Sequence, residues 1–268
     1  MNRIVNTMDI YRLLDKSNCR ECGETTCLAF SAAVFRGARQ LSDCPRLDQD
    51  VVAGFENPSE KRKNLDQEGE EAISRLREAI KDVDLAAAAS RLGGVYANGR
   101  LTLKVLGKDF GVDDRGRMHT EIHVHAWVAV PVLRYILKGK GRSVSGNWVP
   151  LRELQGGKDW YRLFGQRCEK PLKKVADTYT DLFEDMVHLF NARQVGRHFE
   201  SDISVVLHPL PRVPMLICYW KPDDGMDSDL HLFFDDTAEV NLHIEALYTL
   251  GTGLVLMFEK IARRHGRH

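Results

Sequence analysis

"CRECGETTCLAFSAAVFRGARQLSDCP", residues 19–45, sets four cysteines in the spacing C-x2-C-x4-C-x16-C and follows the last with proline. Cys19, Cys22, Cys27 and Cys44 are four of the six cysteines in the 268-residue chain, so the thiols are gathered at one end. The opening run "MNRIVNTMDIYRLLDKSN" brings polar residues too early and too often for a secretory leader. The expected compartment is therefore the cytoplasm, where thiols stay reduced. A disulfide framework is not expected there, which leaves metal ligation or redox chemistry for the cluster of cysteines.

Four thiolates are the complement of a 4Fe-4S cube, one for each iron, and soft sulfur suits iron-sulfur clusters or zinc. Chain geometry allows Cys44 to join the other three. A helix over residues 26–36 carries the chain about 16 Å away at 1.5 Å per residue. If Gly37 ends that helix, the seven residues to Cys44 span up to about 23 Å when extended. Gly23 removes a side chain beside the ligands, so the backbone can bend closely and offer amide hydrogens to sulfur. Thr26 is placed to cap the following helix, turning its positive end toward an anionic cluster. A zinc knuckle and four unligated buried thiols stay open on spacing alone. Zinc sites more often pair two C-x2-C hooks, and Cys44 stands alone.

Beyond spacing, the run resembles the small iron-sulfur domain of the corrinoid iron-sulfur protein large subunit, a domain also found in the Rnf electron-transport complex. The shared pattern is carried by Cys19, Cys22, Gly23, Thr26, Cys27, Phe30, Ala32, Gly37, Cys44 and Pro45. Members of that family often have proline where this chain has Thr25, a departure that touches the turn and no ligand. The resemblance covers about residues 8–47. It implies a low-potential 4Fe-4S cluster held by Cys19, Cys22, Cys27 and Cys44, with electron transfer as its task, in some members to a corrinoid.

The remaining chain reads as α+β: a small helical iron-sulfur domain over residues 1–50, a linker over 51–68 and a larger mixed sheet-and-helix domain over 69–268. "ENPSEKRKNLDQEGEE" is charged and poor in large apolar residues, which places the boundary near residue 60. Ile73, Leu76, Ile80 and Val83 keep helical spacing in a run that "LGG" closes, and "RLTLKVLG" alternates as a strand. The glycines and aspartates of residues 105–125 predict a hairpin or two. Leu172, Val175, Tyr179, Leu182, Phe183, Met186 and Phe190 predict one long helix. "DISVVLHPLPRVPMLICYW" predicts two strands about a proline-rich turn, and "LHLFFDD" another. A final helix carries Leu247, Leu250, Leu254 and Ile261, with "GTG" weakening its middle. Strands grouped between helices favour α+β over a doubly wound sheet. The larger part also resembles an uncharacterised domain that anaerobic prokaryotes join to this same cluster module. That resemblance is carried by "GRLTLKVLGKDFGVD", "GNWVPLREL", "PLPRVPMLICYWKPDDG" and "LHLFFDD", and it implies no activity.

Charge and hydropathy narrow the classes of function. Lysine plus arginine and aspartate plus glutamate both number 38, so no global basic field recommends nucleic acid as partner. The longest apolar runs fall short of the roughly 20 residues that span a bilayer. Within the larger domain, His119, His123 and His125 invite a metal, but the plainer reading is a solvated strand with His123 and His125 on one face. Asp223, Asp224, Asp227 and Asp229 match a calcium loop only loosely and read as a turn. Asp235 and Asp236 could act as acid and base, though ending a strand is the simpler role. Trp148, Trp160, Tyr161 and Phe164 could line a pocket, with Arg152 and Arg212 meeting an anion there, or fill the core. Cys168 and Cys218 read as inert buried thiols. No phosphate-cradling glycine loop, nucleophile elbow or H-E-x-x-H run occurs. The leading expectation is one-electron transfer through a 4Fe-4S cluster to a redox partner protein or a corrinoid-like small molecule held by the larger domain. A redox enzyme or cofactor-maturation factor is the second, and a zinc-stabilised interaction protein the third.

Overall fold

Asn6 starts the first helix because its side-chain oxygen accepts the N–H groups of Met8 (2.8 Å) and Asp9 (3.0 Å), while the Asp9 carboxylate accepts the Asn6 N–H in return. The structure, a computed structural model, describes residues 6–36, 38–48, 51–52, 58–179, 181–223 and 225–265. The chain divides into two units, Met1–Glu71 and Ala72–His268. In the first, α1 (Thr7–Leu13) and α2 (Cys27–Arg36) pack through Ile10, Leu14, Phe30 and Val34, and Leu41 and Leu47 close the small core. Gly37, expected to end α2, lies outside the described residues. From Pro58 onward the segment expected as linker is helical: α3 runs Pro58–Ile80, and the division between the units falls within it.

In the second unit the end of α3 is followed by α4 (Leu85–Leu92), whose N-cap Asp84 accepts the N–H groups of Ala86 and Ala87 and whose end is Gly93 at φ 76°. The helical spacing from Ile73 onward is therefore broken at residues 81–84, because Asp84 starts a new helix. Next comes a four-stranded antiparallel meander of β1 (Val95–Ala97), β2 (Arg100–Val105), β3 (Lys108–Asp113) and β4 (Met118–Thr120). Two-residue turns join its first three strands, Asn98-Gly99 and Leu106-Gly107, all four residues at positive φ as such hairpins require.

Beyond α5 (Ala126–Lys138) lies β5 (Trp148–Pro150), and α6 (Gly157–Phe164) passes through a π-helical turn, Gly165–Glu169, into α7 (Lys170–Thr178). α8 (Leu182–Phe190) is followed by β6 (Arg193–Gln194), β7 (Ile203–Leu210), β8 (Val213–Trp220) and β9 (Asp229–Asp235). These strands form an antiparallel sheet in the order β5-β9-β8-β7-β6. Helix accounts for 48% and sheet for 20%, and with every pairing antiparallel the chain is α+β as expected. α9 (Ala238–Asn241) leads to α10 (Ile244–His265).

One helix expected as continuous is divided. The long helix expected through Tyr179 is two, α7 and α8, because Tyr179 is extended (φ −125°, ψ 97°) and its hydroxyl donates to Asp185 at 2.6 Å. The buried face was nonetheless legible, since Leu172, Val175, Tyr179, Leu182, Phe183 and Met186 are all in the core. The glycines of "GTG" leave α10 unbroken. A side chain at Gly251 would meet Phe164 of α6, and one at Gly253 would overlap the Trp127 ring of α5. Small residues there bring helices together. Among the described residues no helix is long and apolar enough to cross a membrane.

Candidate metal centre

The loop from Asp15 to Thr26 visits the left-handed region at Lys16, Asn18, Arg20 and Gly23, so the chain coils tightly before α2 begins. Asparagine tolerates that conformation better than most residues, and glycine best. Gly23 stands at φ 81°, and a Cβ there would lie 3.0 Å from Nη2 of Arg39. Thr26 caps α2 as expected, its hydroxyl accepting the Ala29 N–H at 3.0 Å. Cys27 is thereby the first residue of the helix, at its positive end.

Cys27 and Cys44 are buried and Cys19 and Cys22 half-buried, and all are free thiols. Cys22, Cys27 and Cys44 belong to one small apolar core with Ile10 and Phe30. Burial pushes the Cys44 thiol up, offset in part by a hydrogen bond from the Arg46 N–H, and the charges of Cys22 and Cys19 add to the rise. Among the described residues no three His, Cys, Asp or Glu side chains surround one point as ligands of a single ion would. A cube asks for a wider setting, with one sulfur on each iron.

Asn18 and Arg46 escaped the sequence reading. The Asn18 N–H donates to Cys27 Sγ at 3.4 Å, and the Asn18 side chain accepts the Cys27 N–H at 2.8 Å. Arg46 donates to Glu21 at 2.7 Å and pairs with Asp15 at 3.5 Å, tying the stretch after Cys44 to the loop that carries Cys19 and Cys22. Asparagine just before the first cysteine and arginine two places after the last were the available signals.

The polar residues singled out in the larger domain do not converge. His119 lies in β4 and bonds Asp113 at 3.0 Å, as does Arg117 at 2.8 Å. His123 and His125 are not on a strand: they precede α5, His125 at its N-cap, with rings edge to face at 4.2 Å. Asp223 closes a turn with Met226, and Asp224 lies outside the described residues. Asp235 is fully buried and accepts the N–H groups of Ser145, Gly146 and Thr237, which makes it the clamp of a loop. Trp160 packs on Tyr248, Phe164 on Phe234, and Trp148 near His198. Arg212 donates to the Gly141 carbonyl at 2.7 Å. Cys168 and Cys218 are buried, and burial raises both thiols.

The small helical unit carries its cysteines on and beside one loop, and residues 14–46 match the family described as "Putative Fe-S cluster". The chain carries an iron-sulfur domain. Residues 84–257, well over half of the sequence, match the family described as Domain of unknown function (DUF3786), and the chain belongs to that family. Its relatives include the acetyl-CoA decarbonylase/synthase complex subunit gamma of Methanothermobacter thermautotrophicus, 43% identical over 53 residues, which are 20% of this chain and 12% of that protein. The subunit of the same name from Methanocaldococcus jannaschii is 38% identical over 48 residues, 18% of this chain and 10% of that one. The corrinoid/iron-sulfur protein large subunit of Moorella thermoacetica is 47% identical over 38 residues, 14% and 8%. The chain thus spans only about a tenth of the length of these relatives. No solved structure matches it.

Proposed function

We propose that Cys19, Cys22, Cys27 and Cys44 hold one 4Fe-4S cluster and that the protein passes single electrons to or from a redox partner protein. The observation that carries this reading is the gathering of Cys22, Cys27 and Cys44 on one small helical core, with Cys19 in the adjoining loop and backbone N–H groups directed at two of the thiols. When bound, such a cluster supplies one-electron oxidation and reduction. The Asn18 N–H is directed at Cys27 Sγ, and the Arg46 N–H offsets part of the rise that burial imposes on the Cys44 thiol. Gly23 lets the loop turn without a Cβ, and Arg46 holds the stretch after Cys44 against Asp15 and Glu21. Ile10, Phe30 and Leu41 exclude water on the inner side.

Purification without oxygen, followed by iron, sulfide and zinc analysis, tests the assignment. About four irons and four sulfides per chain are expected, with a broad visible absorption that bleaches on reduction. Cys22→Ala and Cys27→Ala should lose the iron, while Cys168→Ala and Cys218→Ala keep it. Stoichiometric zinc without sulfide would refute the proposal.

The name of the Moorella relative favours a second electron acceptor, a corrinoid. Mixing the reduced protein with aquacobalamin and following the corrin absorption separates the two. Prompt one-electron reduction supports the corrinoid, and none leaves the protein partner.

A further inference from the structure

Two cavities of the larger domain adjoin at the Leu106-Gly107 turn, and their linings differ in kind. One, of about 340 Å³, is walled chiefly by Leu106, Ile122, Trp127, Phe190, Leu256 and Met257, with Lys108 and Lys260 among its polar members. The other, of about 620 Å³, takes Lys104, Lys108, Arg193, His188 and His208 into its lining. Lys108 and Leu189 belong to both. Among the described residues no carboxylate lines either one, although acids equal bases in the chain as a whole. Lys104 is paired with Asp109 at 2.8 Å, whereas Lys108 and Lys260 form no ion pair among the described residues.

The turn between the cavities is built against local preference. A two-residue hairpin of this type favours asparagine before glycine, as at Asn98-Gly99, yet here leucine takes the left-handed position at φ 50°. Leu106 is held there because its side chain is buried and its N–H donates to the His208 carbonyl at 3.2 Å. Gly107 seats the turn on the end of α8, where an added Cβ would lie 2.7 Å from Cβ of Asn191. The strained turn thus fixes an apolar wall and, one residue later, a cation at the junction.

We propose that this pair of cavities binds an amphipathic organic anion, its apolar body in the Trp127–Leu256 slot and its acidic head at Lys108, facing the basic cavity. An apolar slot with few convergent polar groups is the usual form of a small-molecule site, and about 340 Å³ lies at the small end of that class. The proposal is independent of what the cysteines hold.

Decanoate and its neutral counterpart 1-decanol are the probes, titrated into the full chain with tryptophan emission and calorimetry as readouts. Decanoate should saturate, with an emission change that Trp127→Phe abolishes and a calorimetric signal that Trp127→Phe keeps. Lys108→Ala should weaken decanoate about tenfold, the worth of one hydrogen bond to a charged group, and leave 1-decanol unaffected. Leu256→Glu, at a position 54% exposed and so tolerant of charge, should weaken both. Absence of saturable decanoate binding by either readout would overturn the proposal. So would equal affinity for the two probes with no response to Lys108→Ala.

Discussion

Replacing Asp235 tests how the larger domain holds the loop that leads into β5. The carboxylate is fully buried at the end of β9, where it accepts the Gly146 N–H at 2.7 Å on one oxygen and the Thr237 hydroxyl at 2.6 Å on the other. Ser145 and the Thr237 N–H add longer bonds. A hydrogen bond to a charged group is worth about 1.5–3 kcal/mol. Ser145 is exposed and can turn to water, and the Thr237 N–H bond is long, so only the two shortest bonds count fully. Asp235→Ala should therefore cost about 3 kcal/mol. Asp235→Asn should cost nearly as much, about 2 kcal/mol, because both oxygens receive donors and an amide must aim its own N–H at one of them.

The same variants have a pH signature. Burial raises the Asp235 carboxyl, and the bonds from Thr237, Gly146 and Ser145 more than offset it, so the group sits below its ordinary 3.8. A lowered carboxyl contributes stability that is complete above the unfolded value and is lost as pH falls through the folded one. The gap between the native chain and Asp235→Asn should thus be full at pH 7 and shrink as pH falls below about 4. All four tryptophans, at 127, 148, 160 and 220, lie in the larger unit. Urea unfolding followed by their emission therefore reports that unit. A gap under about 1 kcal/mol at pH 7, or one that stays constant to pH 3, would refute the clamp.

Three further outcomes follow from packing and charge. Gly251→Ala, which in an exposed helix would stabilise by up to about 1 kcal/mol, should instead destabilise by about 1–3 kcal/mol in thermal unfolding, since the new methyl lies 2.7 Å from Cε2 of Phe164. Thiol titration of the native protein with Ellman's reagent should leave Cys168 and Cys218 unmodified, and unfolding should expose both, because burial raises each thiol. The hydrogen bond with Glu169 holds His231 above its ordinary 6.5. A raised histidine contributes stability that is complete below pH 6.5 and lost as pH rises through the folded value. Glu169→Gln should therefore move the His231 titration, followed by NMR, back toward 6.5.

Much of the cysteine loop was open to reading because its information is local. Glycine at 23 and threonine at 26 perform backbone tasks that a neighbour in sequence can specify, a left-handed turn and a helix cap. Asn18 was not legible, because its role depends on a loop returning to the start of α2 nine residues later. Periodicity likewise identified the faces of α7, α8 and α10, since burial follows helical spacing whether or not the helix is continuous. It missed the break at Tyr179 and the partners of "GTG", because those outcomes rest on a hydroxyl finding Asp185 and on Phe164 and Trp127 arriving from other helices.

By itself, then, the sequence determined the α+β class and the buried faces of its helices through spacing and composition within short stretches, and the iron-sulfur domain through resemblance to a known family. Tertiary structure alone decided that Asp235 clamps a loop, that His123 and His125 stand before a helix, and that Leu106 and Lys108 meet Trp127 and Leu256 about a cavity. The clamp and the cavity depend on residues far apart in the chain, whose meeting is set by how strands pair and helices pack rather than by any local preference.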